Sequence, residues 1–79
     1  MRWHYTLIRY EKPIYIYAYG RENSPVDGEI SYNEITGKIT VKPCTLDAGE
    51  GVFALEMAEE HFYKVIRDGF PNERQVDCG

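Results

Sequence analysis

Apolar and polar residues alternate along the first half of this chain, and the second half repeats them at helical spacing. Arg2 to Tyr10 is rich in β-branched and aromatic residues and reads as a first strand. Its larger apolar area sits at Trp3, Tyr5 and Leu7, which predicts that these face the core, with His4, Thr6, Ile8 and Tyr10 outside. Glu11-Lys12-Pro13 is a polar break, short enough to make an antiparallel hairpin with the next segment. That segment, Ile14-Tyr15-Ile16-Tyr17-Ala18-Tyr19, alternates aliphatic and tyrosine without interruption. It predicts a strand with two unlike faces. Residues 21–28 contain Asn-Ser-Pro and Asp-Gly, lack periodicity, and read as a loop.

Glu29-Ile30-Ser31-Tyr32 and Lys38-Ile39-Thr40-Val41-Lys42 alternate again, around Asn33-Glu34-Ile35-Thr36-Gly37. Gly37 fits the left-handed position of a hairpin loop of that length. A second hairpin follows, with Ile30, Tyr32, Ile39 and Val41 inward and Pro43 as its end. From Val52 to Asp68 the apolar stripe Leu55, Ala58, Phe62, Val65 and Ile66 predicts a helix. Asp47 with Glu50 resembles a capping box, and Gly49 and Gly51 weaken the first turn. Gly69 is placed as the left-handed residue beyond the helix, with Phe70 closing back on Val65 and Pro71 preventing continuation.

The order β-β-β-β-α predicts an α+β fold: a four-stranded antiparallel sheet, most simply a meander, with one C-terminal helix on one face. Residues 1–71 form the single domain, and the polar residues 72–79 are expected to be a disordered tail. In this arrangement the helix covers Ile14, Ile16 and Ala18. Tyr15, Tyr17 and Tyr19 then lie uncovered, with Ile8 and Tyr10 beside them, as a candidate interaction surface. Phe53 and Met57 form an i,i+4 apolar pair off the core stripe and join that candidate set. The bland alternative is a wet sheet face, which tyrosine tolerates through its hydroxyl.

Charge narrows the partners. The chain of 79 residues carries 9 Lys/Arg and 13 Asp/Glu, a formal charge of −4, with the excess acid in the second half. An acidic domain repels phosphate backbones, so nucleic acid is an unfavoured partner. No apolar run approaches the length of a membrane span, and no leader is visible, so a cytoplasmic protein is expected. Two cysteines, Cys44 and Cys78, match no zinc spacing and are too few for a disulfide framework. Cys44 is expected to pack under the turn between strand and helix. Glu56 and Glu60 stand one helical turn apart, yet His61 points away from them, so a solvated helix face accounts for them better than a metal site does. No phosphate loop or nucleophile elbow is present.

No catalytic residue, cofactor or metal is expected. The sequence points to a small non-enzymatic module for protein interaction or self-assembly, a homodimer through its tyrosine face or a sheet edge. The alternatives are a small-ligand or carbohydrate binder using the same tyrosines, or a binder of single-stranded nucleic acid.

Overall fold

The computed structural model describes residues 2–22, 24–45, 49 and 51–77, with Val52 and Phe53 described by backbone alone. The caps expected from Asp47 and Glu50, the Phe53 side chain and Cys78 lie outside the described residues. The elements are β1 (Arg2–Glu11), β2 (Ile14–Arg21), β3 (Gly28–Asn33), β4 (Ile39–Lys42), α1 (Gly51–Arg67) and β5 (Glu73–Asp77). The architecture is α+β, with every strand pair antiparallel.

The expected meander is present as β4-β3-β2-β1, and a fifth strand is added outside β1. The sheet therefore has five strands, not four, and residues 73–77 are not a disordered tail. The segment Glu-Arg-Gln-Val-Asp has only one apolar residue, so its period-two signal is faint. Val76 is buried under the helix, while Glu73, Gln75 and Asp77 are exposed. Arg2 to Asp77 (2.8 Å) and Arg74 to Asp68 (2.6 Å) clamp the strand at both ends.

The turn from helix to β5 is the predicted one. Gly69 has φ of 84°. Its N–H donates to the Ile66 carbonyl, and the Phe70 N–H donates to the Val65 carbonyl, each across 3.1 Å. That pair of bonds is a Schellman closure. Phe70 also sits at positive φ, 58°. Its ring lies flat on Tyr15, centroids 3.8 Å apart and planes within 3°.

The face that meets the helix is the main correction. Tyr17 and Tyr19 are 0% exposed and Tyr15 is half-buried, so the tyrosine side is the core and Ile14, Ile16 and Ala18 look away from the helix. The cause is one residue. A two-residue turn at Lys12-Pro13 pairs Glu11 with Ile14 and Tyr10 with Tyr15. Continued without interruption, that register would oppose Leu7 to Ala18. A register shift between Leu7 and Arg9 instead opposes Leu7 to Tyr17 and Tyr5 to Tyr19. The extra residue, Ile8, is a bulge, and a one-residue slip exchanges the faces of a strand. Trp3 and Tyr5, each 1% exposed, thereby join the tyrosines as expected core residues.

The core is aromatic. Trp3, Tyr5, Tyr17, Tyr19 and Ile30 meet Ala58, Phe62 and Val65 of the helix. The buried stripe is centred on Ala58 and Phe62, with Leu55 and Ile66 only half-buried at its margins. Tyrosine can be buried here because its hydroxyls find partners. Tyr5 Oη donates to the Ala58 carbonyl (2.8 Å), and Tyr17 Oη to the Pro71 carbonyl (2.6 Å). Tyr19 Oη accepts from the Cys44 N–H (3.2 Å). Cys44 is fully buried between strand and helix, as expected.

Candidate functional site

The sequence-predicted surface does not assemble as one patch. Tyr17 and Tyr19 are core residues, and Met57 is half-buried against the core. Tyr15 is stacked between Tyr10, at 4.2 Å, and Phe70. Ile8, 50% exposed, and Tyr10, 43% exposed, remain accessible at the bulge and just beyond it. The aromatic row Tyr10–Tyr15–Phe70 thus fills the end of the sheet beyond the helix C-terminus. Phe70 was missed as a member of this row. Its signal was local, a large aromatic directly after the helix-ending glycine, but its contact with Tyr15 is set by the tertiary fold.

The residues around Glu56, Glu60 and His61 were expected to form a solvated helix face, and His61 departs from that. It is buried, its ring stacked on Trp3 at 5.2 Å. Its Nδ1 lies 2.6 Å from the Met57 carbonyl oxygen, which can only accept, so that nitrogen carries a hydrogen. On the other strand, the Arg21 guanidinium lies 5.1 Å from the Trp3 ring centroid, a cation–π distance. These groups build the core's edge. Among the described residues no group of three His, Cys, Asp or Glu side chains could hold a metal ion.

What remains accessible is the far side of the sheet and its two edges. Cross-strand pairing aligns Lys42, Glu29, Ala18, Thr6 and Glu73 in one row on the uncovered face. A second row runs Thr40, Ser31, Ile16, Arg9. The centre of this face is aliphatic and hydroxyl-bearing, with Ile16 itself buried, and its charges lie at Lys42, Glu29, Glu73 and Arg9. The 21–28 loop folds onto this face at Gly20. A Cβ there would meet the Pro25 carbonyl oxygen at 2.5 Å, so only glycine fits. Asp27 anchors the loop's end by accepting from the N–H and hydroxyl of Thr45, which holds its carboxyl below the usual range. Between this loop and β5 lies a groove of about 270 Å³ flanked by His4, Thr6, Ser24, Glu73 and Gln75.

Both edges are unpaired among the described residues: β4 on one side and β5 on the other. The carboxyls holding β5 have depressed pKa values. Hydrogen bonding to Arg2, then its charge, lowers Asp77. Hydrogen bonding to Arg74 lowers Asp68. No described helix is long and apolar enough to cross a membrane. No family model matches this chain, and neither a curated protein nor a solved structure does.

Proposed function

We propose that this chain is a small non-enzymatic module of the cytoplasm that associates with proteins, its own copies first, through its sheet. The observation that carries this reading is the pair of open edge strands. An unpaired strand offers a row of N–H and C=O groups that another strand can take up. The buried tyrosines no longer supply the docking face, so the edges take that role.

Sedimentation velocity across a wide concentration range at low ionic strength tests the reading. The expected result is a weight-average mass that rises with concentration. A constant monomer mass at every concentration would overturn it.

A further inference from the structure

The two open edges are complementary to each other and repulsive to themselves. On the uncovered face β4 presents Thr40 and Lys42, with Lys38 just before the strand in the same row. On that face β5 presents Glu73, Gln75 and Asp77, opposite Thr6, His4 and Arg2. The two basic residues are four positions apart, and so are the two acidic ones. All five of these polar side chains and Lys38 are exposed.

Direction and hydrogen-bonding parity both permit the edges to meet. Each of β4 and β5 runs the same way as β2, because each is reached through antiparallel neighbours. A copy placed beside another with its helix on the same side therefore meets it in parallel. In the β3–β4 ladder the Asn33 N–H donates to the Lys38 carbonyl across 2.9 Å. Alternation then turns the peptide groups of Ile39 and Val41 outward. Beside β1, the Leu7 N–H donates to the Asn72 carbonyl across 2.8 Å. Alternation there turns the groups of Glu73, Gln75 and Asp77 outward, and the Arg74 guanidinium, which donates to the Gln75 carbonyl, must swing aside for a new strand. Parallel strands interleave their bonds, so the two outward sets on β4 fit between the three on β5.

Pairing like with like is disfavoured. Two β4 strands set antiparallel about Thr40 oppose Lys38 to Lys42. Two β5 strands set about Gln75 oppose Glu73 to Asp77, the latter already paired with Arg2 in each copy. Like charges directly opposite destabilise a sheet, and opposite charges stabilise it.

We propose that the chain assembles head to tail, the β4 edge of one copy adding in parallel to the β5 edge of the next. Lys38 then faces Glu73, Thr40 faces Gln75 and Lys42 faces Asp77. On the helix side Val41 faces Val76, and Ile39 lies along the stem of Arg74. This inference rests on the self-association reading above and gives it a surface, a register and a symmetry. A heterologous contact of this kind generates an open chain or a closed ring, not an isologous dimer. One strand pair buries little surface, so each contact is weak and association is progressive.

Reciprocal charge reversal tests it. Lys38→Glu and Glu73→Lys change exposed side chains, and circular dichroism checks that both variants fold. Each alone turns an attractive pair into a repulsive one and is expected to need about tenfold higher concentration to associate. Their equimolar mixture restores the opposite-charge pair at every contact and is expected to associate like the wild type. As a second, charge-neutral block, Gln75→Pro removes an outward N–H and is expected to stop assembly while leaving the β1–β5 ladder bonds intact. A self-associating wild type whose variants all match it, or whose mixture gains nothing, overturns the edge contact and leaves the self-association reading standing. A wild type that is monomeric throughout overturns both.

Discussion

The Tyr17 hydroxyl donates to the Pro71 carbonyl across 2.6 Å, joining the middle of the sheet to the turn that carries the chain from helix to edge strand. The turn has a second tether in the Leu7 N–H, which donates to the Asn72 carbonyl. Tyr17→Phe keeps the ring and its edge-on contact with Phe62, at 5.4 Å, and removes only the first tether. The expected loss is about 1 kcal/mol, the net value of one hydrogen bond, read from urea denaturation. Hydrogen exchange at the Leu7 amide should quicken with it, because the turn is freer to open. An unchanged unfolding midpoint would show that the hydroxyl bond carries no stability.

The same hydroxyl sets an alkaline limit. Burial, and secondarily the neighbouring Tyr15, pushes Tyr17 up to about 12. A group whose folded pKa is raised contributes stability that is complete below its unfolded value, about 10 for tyrosine, and is lost as pH rises through the folded value. The buried phenolate would also have no proton to donate to Pro71. Thermal stability should therefore fall between about pH 10 and 12, and Tyr17→Phe should flatten that part of the profile. A wild-type profile that matches the variant across this range would refute the assignment.

Much of the fold was legible because its signals are local. Gly37 and Gly69 both take the left-handed conformation their positions demand, at φ of 77° and 84°. The hairpins, the helix and the helix stop follow from alternation, periodicity and punctuation. Face assignment in β2 was not legible. Nothing local in Leu7-Ile8-Arg9 marks a bulge, yet that one residue decides whether Trp3 and Tyr5 lie with the isoleucines or with the tyrosines. Hydrophobicity favoured the isoleucines, and the tertiary hydroxyl partners Ala58, Pro71 and Cys44 that make tyrosine burial inexpensive are 25 or more residues away in sequence. The candidate surface inherited that error. The edge charges were present in the sequence, but their meaning depends on which strands are outermost.

Gly28 makes the tyrosine packing testable from the opposite side. The Tyr19 ring lies over it, and an added Cβ would stand 2.5 Å from a ring carbon and 2.7 Å from the Cys44 nitrogen. Backbone cannot yield there without losing the bond between the Cys44 N–H and Tyr19 Oη. Gly28→Ala should cost about 1–3 kcal/mol, the range for overpacking a core. Gly37→Ala should be cheaper, near 1 kcal/mol, since nothing lies within 4 Å of its added carbon and only the left-handed backbone is strained. Equal costs for the two in parallel denaturation curves would refute the close contact.

Acid should loosen the sheet from its β5 side. Asp77 and Asp68 are held below the usual carboxylate range by Arg2 and Arg74, and Asp27 by Thr45. A depressed folded pKa contributes stability that is present above the unfolded value, about 3.9, and is lost as pH falls through the folded one. The expected signature is a decline in melting temperature below about pH 4, with β5 amides exchanging first. Asp77→Asn should shrink the decline while lowering stability slightly at neutral pH. A melting temperature that holds constant down to the lowest pH would rule out these carboxylates as contributors.

The C-terminal strand supplies the last test, because its role is the one that composition hides best. Val76 is 1% exposed opposite Trp3, whose ring is also buried. Removing the chain after Asn72 would uncover both and release the Arg2 and Arg74 clamps. Burial of a valine alone is worth about 1.5–3 kcal/mol, and a domain of this size has only about 5 kcal/mol in hand. The truncated chain should be largely unfolded or aggregated at room temperature. The milder Val76→Ala removes about two buried methylene equivalents and should cost about 2 kcal/mol, with the fold retained. Intrinsic fluorescence of Trp3, the chain's single tryptophan, reports both effects directly. A truncated protein with the wild-type spectrum and melting temperature would mean that residues 73–79 are a dispensable tail after all.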